Sequence, residues 1–407
     1  MCKSLVCVAA GFILAVLTAC SGLQSTPSMP SPNGPVPQSK TQSYAVYVSE
    51  DANRRFSNAP PIIAAYAVTA NNRVSAIPGS PFAEPGGTSN LLPAAGGKFL
   101  FANNSDLVDP RTGTQGPNSG IYSFSIAPDG SLATPSRLTE TFVPASITQS
   151  GAILYLSQPQ QGLGSPIAVR TYVVDPSTSQ LTIKTPDFGT GVEGVEPFFG
   201  QTETTPSGLW VKTGWPPLCN TNCTISKFNH LPINNENGAL LTVDMSSTFE
   251  EFDMLAQAIA TSDHFLLLLD GVSTGNKVLR LYADRNEALH VQDYPEGPSL
   301  TVFSAAIHPS ENFALVQTTM NSVSTVPLND QAGLQFDRAS TVALQPATAG
   351  GPDCCAMALS ADGKVLAITR FDRLEIFTVA ADGTLTGGSP IQLPFLDPAI
   401  LTIVPLP

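Results

Sequence analysis

Charge is scarce in this chain of 407 residues. Only 13% of positions are Asp, Glu, Lys or Arg, and 32 acidic residues outnumber 19 basic ones. A formal net charge of −13 leaves no basic footprint for a phosphate backbone, which argues against nucleic acid as a partner. Long helical periodicity is missing beyond the first residues, so a helical bundle is excluded. No Walker loop, HExxH or GxSxG sequence occurs, which removes the simplest nucleotide, zinc-protease and serine-hydrolase readings. What is present instead is turn chemistry. With 36 Pro, 32 Gly and 42% apolar residues, the composition is that of a folded, turn-rich chain.

The N-terminus reads as a targeting segment. Lys3 gives a positive start, and Leu5 to Leu17 is an apolar run too short to span a membrane comfortably. It ends in Leu17-Thr18-Ala19-Cys20, in the order of a bacterial lipobox. Residues 1–19 are then a lipoprotein signal, and Cys20 is the lipidated residue. The plainer alternative is an ordinary secretory peptide with a chance cysteine. Ser21 follows Cys20 where Asp would signal inner-membrane retention, so the expected address is the cell envelope, anchored at the outer membrane. Residues 20–41 are rich in Pro, Ser and Gln and read as a tether. Residues 42–407 form the folded domain, expected as a monomer.

Within that domain short β-type runs recur. One type is SYAVYVS (Ser43–Ser49), KFLFANN (Lys98–Asn104), AILYLSQ (Ala152–Gln158), GLWVKTG (Gly208–Gly214), HFLLLLD (His264–Asp270), NFALVQT (Asn312–Thr318) and KVLAITR (Lys364–Arg370). The interval is about fifty residues, a period associated with propeller blades. A second run follows each of these, and a third begins near Val74, Leu132, Leu181, Leu240, Leu289, Leu334 and Leu385. A fourth precedes the first type, as in LLPAAGG, ASITQSG, LAQAIATS, SAAIHPS and CAMALSADG. Ahead of Tyr44 that run is replaced by tether, and its match is the terminal AILTIVP (Ala399–Pro405). The expected fold is an all-β, seven-bladed β-propeller of four-stranded blades. Its first blade is closed by the C-terminal strand together with the N-terminal strands.

The phrases PGSPF (Pro78–Phe82), GGKFLFANN (Gly96–Asn104), SADGKVLAIT (Ser360–Thr369) and AADGTLTGGSPI (Ala380–Ile391) resemble the lactonase-type seven-bladed propellers. That family is related to 6-phosphogluconolactonase and the muconate-cycloisomerase-like proteins, and the resemblance runs from about Tyr44 to Val404. It implies a channel mouth where His, Arg and Glu gather in members with lactonase activity. Four histidines and the absence of His-rich phrases depart from that pattern. His308 matches the family's His-Pro turn, which belongs to the repeat frame.

Residues just ahead of the channel-lining strands include Glu196, Asp253, Asp353 and Asp397. Four carboxylates converging on one mouth would suit a cation such as Ca²⁺ or acid–base work. The alternative, and the favoured one, is that each caps a local turn. Loops on the same face would hold Arg111, Trp215, Asp270 and Arg370. Arg370 could polarise a lactone carbonyl or pair with Asp372, and Trp215 could stack on a sugar or pack its own loop. Cys219 and Cys223 are a disulfide candidate, while adjacent Cys354 and Cys355 read as two buried thiols. The GxGxxG match at Gly189 to Gly194 lacks a following helix and reads as an inter-blade loop.

Two functions fit. The first is a binding or scaffold propeller presenting a loop-rich face to a protein or carbohydrate. The second is a periplasmic lactonase-type hydrolase, with Glu196 or Asp353 activating water and Arg370 polarising the carbonyl. A Ca²⁺ ion in the central channel is a third possibility; otherwise no cofactor is expected.

Overall fold

The computed structural model describes residues 43–50, 60–69, 73–105, 107–109, 114–141, 146–159, 166–193, 202–205, 208–213, 226–234, 237–240, 250–252, 257–271, 277–283, 289–295, 302–329, 333–346, 356–395 and 398–407. Among them, the chain forms antiparallel sheets in sequence order, seven of them with four or five strands, plus one two-stranded ribbon (Leu107–Asp109 with Thr114–Gln115). Sheets are numbered here in that order.

In each large sheet one leading strand is followed by a second, third and outer strand. The leading strands are Pro398–Leu406 in sheet 1, Gly87–Ala94 in sheet 2, Ser146–Ser150 in sheet 3 and Thr202–Thr205 in sheet 4. Gln257–Thr261, Ser304–Ile307 and Ala356–Leu359 lead sheets 5, 6 and 7. Each leading strand touches that of the next sheet, and the sequence of contacts returns from sheet 7 to sheet 1. Hence these strands are innermost. The junction is made by the chain's last strand, which pairs with Ser43–Glu50 from Ser43↔Leu406 to Glu50↔Pro398.

The alternation of each second strand explains how the sheets stack. In Ser43–Glu50, Tyr44, Val46 and Val48 pack against Val365 and Ala367 of sheet 7, while Ala45 and Tyr47 pack against Leu100 and Ala102 of sheet 2. Phe99 and Phe101 in turn meet Leu154 and Leu156 of sheet 3. A strand buried on both faces reads as a near-continuous apolar run, which is why these seven runs stood out in the sequence.

Hydroxyl groups pin the sheets further. The Tyr47 hydroxyl donates to the Gly130 carbonyl (2.7 Å), Tyr155 to Gly238 (2.8 Å) and Thr325 to Gly383 (2.7 Å), each time reaching from one sheet to the turn after the third strand of the next. Burial pushes the Tyr155 phenol up to about 12, so it remains a donor at any ordinary pH. Gly130 is required there: its φ is +86°, and a Cβ would lie 2.7 Å from the Ile77 side chain.

The opposite turns, between leading and second strands, link sheets 5, 6, 7 and 1. His264 donates its backbone N–H to Glu311 (2.8 Å), and its Nδ1 lies 2.7 Å from the same carboxylate. The His308 ring stacks on Phe313 and abuts Gly363. Burial pushes the His308 imidazole below its ordinary value, against a hydrogen bond to Gly363 and the charge of Asp362. Tyr44 donates to Asp362 (2.7 Å) across the sheet 7–sheet 1 junction. Gly363 has φ +74° and no room for a Cβ beside His308. Gly363→Ala is therefore expected to cost at least ~1–2 kcal/mol from backbone strain alone, read as a lower denaturation midpoint.

Burial alone would raise the Asp362 pKa, but hydrogen bonds from Tyr44, Ser360 and Lys364 outweigh it and hold the carboxyl at about 2. The folded value lies below the unfolded one. Its stabilisation is thus present above about pH 4 and is lost as pH falls toward about 2. The melting-temperature gap between wild type and Asp362→Asn should close over that window. A gap unchanged at pH 2 would remove Asp362 from the junction's acid response.

Two outer-strand features complete the sheets. The outer strands of sheets 1 and 7 are each broken in two by the Gly-Ser-Pro phrase: Val74–Ala76 and Phe82–Ala83, then Leu385–Gly387 and Ile391–Gln392. Where the first leaves the ladder, Ser80 Oγ accepts the Ala65 N–H (2.8 Å). The outer strand resumes beyond the phrase in both sheets. Gly189 to Glu193, read as loop, belongs to the outer strand Leu181–Glu193 of sheet 3 and pairs with Pro166–Val174; Gly194 lies outside the described residues.

Candidate functional site

Every described second strand is apolar along its length and several turn polar at the last two positions. Ser49, Asn103 and Asn104, Ser157 and Gln158, Gln317, and Thr369 and Arg370 are all buried. Pairing puts these residues opposite the start of the innermost strands: Ser49↔Ile400, Asn104↔Thr88, Ser157↔Ser146, Gln317↔Ser304 and Thr369↔Ala356. Neighbouring innermost strands run alongside one another, since Asn90 Oδ1 accepts the Ile147 N–H (3.1 Å) and Thr148 meets Thr204 (3.3 Å). The polar strand ends consequently gather at one end of the innermost-strand ring.

Two junctions and one contact within a sheet show how they are used. At sheets 1 and 2, Ser49 donates to Glu84 Oε2 (3.0 Å). Glu84 precedes the innermost strand of sheet 2 and is followed by Pro85, as Glu196 is by Pro197 and Asp397 by Pro398. It is the described representative of the acidic position expected at the mouth, and it is 7% exposed. Asn104 faces the same junction by alternation with Leu100 and Ala102. Its amide atoms are fully buried and find no hydrogen-bond partner among the described residues. Within sheet 6, Ser304 donates to Gln317 (2.9 Å).

The sheet 6–sheet 7 junction holds Arg370. Its guanidinium, 1% exposed, pairs with Glu375 of the third strand, 2% exposed. Nη1 donates to the Met320 carbonyl (2.9 Å) and Asn321 Oδ1 (3.0 Å), and Nη2 also donates to the Gln345 carbonyl (2.5 Å). Glu375 Oε2 accepts the Gln345 N–H (3.4 Å). Arg370 thus binds sheet 7 to the sheet 6 turn and to the crossing segment between the sheets. Its carboxylate partner is Glu375, whereas Asp372 accepts from Gln392 (2.9 Å).

The remaining sequence candidates, Glu196, Asp253, Asp353, Asp397, Cys20, Cys219, Cys223, Cys354, Cys355, Arg111 and Trp215, lie outside the described residues. Asp270 falls within the second strand of sheet 5, Phe265–Gly271, opposite Val278. His308 sits in a turn, as expected of a repeat-frame residue. No group of three or more His, Cys, Asp or Glu able to hold a metal occurs among the described residues. Sequence reasoning placed the mouth by the residues ahead of the innermost strands. The available signal for the rest was the shift to polar residues closing the second-strand runs.

Antiparallel sheets with innermost strands in a closed cycle of contacts define a β-propeller. Solved structures specify its type. A candidate 6-phosphogluconolactonase from Bacteroides fragilis matches at TM-score 0.58 and 13% identity, covering 90% of this chain and 99% of that one. The periplasmic gluconolactonase PpgL of Pseudomonas aeruginosa matches at 0.57 and 14%, over 90% and 100%. A candidate 6-phosphogluconolactonase from Bacteroides uniformis matches at 0.58 and 11%, over 89% and 99%. The chain has the lactonase-type β-propeller fold. No protein-family model matches the sequence, and no curated protein gives a significant match.

Proposed function

We propose that the chain is an exported, seven-bladed binding propeller, anchored through lipidated Cys20, whose polar strand-end face takes an uncharged, oxygen-rich ligand. One observation carries the ligand class. Charges described at that face include Arg370, Arg373, Asp372 and Glu84, engaged by Glu375, the Pro346 carbonyl, Gln392 and Ser49 respectively, while the surrounding groups are amides and hydroxyls: Asn103, Asn104, Gln158, Gln317, Ser304 and Thr88. Neutral donors and acceptors of this kind match sugar hydroxyls and carbonyls better than ions. The closed cycle of seven innermost strands supports the blade count. The Leu17-Thr18-Ala19-Cys20 order and a periplasmic protein among the structural neighbours support the envelope address.

Calorimetry with a panel of neutral mono- and disaccharides tests the binding role. Saturable binding is expected, and rapid turnover of a lactone panel with no saccharide binding would overturn it in favour of a hydrolase. Cys20→Ala should move the protein from the membrane fraction to the soluble one, and retention in the membrane would reject the anchor.

A further inference from the structure

The strand-end face is uneven. Sheets 6 and 7 join their second and third strands by the two-residue turns Met320-Asn321 and Phe371-Asp372. Sheets 1, 2 and 4 make the same connection through residues 51–61, 106–119 and 214–225. The connections at sheets 6 and 7 are thus two residues long, and that is where Arg370 ties the turns together.

The tie also sets an amide. Asn321 is exposed, yet its Oδ1 is held by the Arg370 guanidinium, a charge-assisted bond from a group locked in turn by Glu375. Because a guanidinium only donates, Oδ1 must face it, and the Nδ2 donor must point the other way. Hydroxyls surround the turn. Thr319 Oγ1 accepts the Asn321 N–H (3.1 Å) and meets Ser322 (2.6 Å), and Thr318 lies 3.2 Å from Ser324. These are uncharged groups fixed by mutual hydrogen bonds.

We propose that the Met320-Asn321 turn of sheet 6 is a saccharide-contacting subsite, with Asn321 Nδ2 donating to a ligand oxygen and the Thr319 and Ser322 hydroxyls beside it. Arg370 is the positioning residue. It orients the Asn321 amide and is itself covered by protein. The assignment rests on the binding role proposed above and locates it at the short turn of sheet 6. A ligand oxygen suits the site because each nearby charge is matched within the protein, and an anion would also approach against the chain's charge of −13.

The test uses the full mature domain, ¹⁵N-labelled, and the saccharide from the neutral panel that binds best. The Asn321 side-chain amide resonances should shift on titration. Asn321→Ala, compared with wild type well below the melting temperature because it also removes an acceptor from the Arg370 guanidinium, should weaken binding tenfold or more, and Asn321→Asp, which exchanges the donor for an acceptor, should bind no better. Arg370→Lys should move the free-state Asn321 amide resonances, whereas Gly363→Ala, a destabilising change at a distant turn, should leave them in place. Wild-type affinity in Asn321→Ala overturns the subsite while the binding role stands. A panel with no binder at all overturns both.

Discussion

Glu375→Ala is expected to lose roughly 3–5 kcal/mol of stability, because it strands the Arg370 guanidinium in the protein interior. The guanidinium is 1% exposed and cannot recover hydration in place. It would still hold the Met320 and Gln345 carbonyls and the Asn321 amide, which are neutral and cannot balance its charge. Arg370→Met combined with Glu375→Leu removes both charges at once, and a buried pair replaced by apolar groups is often near neutral. Here recovery should be incomplete, since the Gln345 N–H and C=O and the Met320 carbonyl lose their partners at ~1–3 kcal/mol for each group left unsatisfied. The predicted order of denaturant midpoints is wild type, then the double variant, then Glu375→Ala. A loss within about 1 kcal/mol for Glu375→Ala would mean that the pair behaves like a solvated surface bridge, and the account of the junction would fail.

How far this junction was legible in the sequence is instructive. Arg370 is the charged end of KVLAITR, and the sequence allows it either a ligand contact or a bond to Asp372. The structure selects Glu375 for a geometric reason. Arg370 pairs with Arg373, so Asp372 sits in the turn itself. Ile368 pairs with Glu375, and residues 368 and 370 share a face, so Glu375 comes up beside Arg370 from the neighbouring strand. Partner identity depends on register, and register is fixed by a turn in which Phe371 adopts φ +50°, a conformation no residue pattern announced.

The repeat itself was easier. Second strands packed on both faces leave an unbroken apolar signal, and each of the seven runs coincides with a second strand to within one residue at either end. Innermost strands were harder, and that of sheet 4, Thr202–Thr205, gives no apolar signal because TETT is polar throughout. Outer strands were hardest. Leu132 and Leu240 mark single bridges to Ile126 and Ile233, with the ladder resuming only at Ser136–Thr139 and Glu250–Phe252. Outer strands lie where fewer side chains are buried, so their alternation is weakly constrained. The acidic position at the mouth is read from Glu196, Asp253, Asp353 and Asp397, whereas the equivalent Glu84-Pro85 follows closely on PGSPF, where turn residues dominate the pattern.

Ending the chain after Phe395 should abolish cooperative folding. The lost strand, Pro398–Leu406, is the only described partner of Ser43–Glu50 on its inner side and pairs with it along its whole length. Its side chains serve two junctions at once: Ile403 packs in the cluster between sheets 7 and 1, and Val404 in that between sheets 1 and 2. Its backbone touches the innermost strands of sheets 2 and 7, so without it the cycle of innermost strands is open. The truncated chain would expose Tyr44, Val46, Tyr47 and Val48 along an unpaired edge, which is a template for aggregation. Val404→Asp asks the same question with the strand retained, because it buries an unpaired carboxylate where the side chain is now fully enclosed. Truncation is expected to give insoluble protein or a melt without a transition, and Val404→Asp a loss of several kcal/mol of stability, read as a lower denaturation midpoint. Should the truncated chain stay soluble and melt cooperatively at the wild-type temperature, sheet 1 does not depend on the C-terminal strand, and closure by both termini is not what stabilises this propeller.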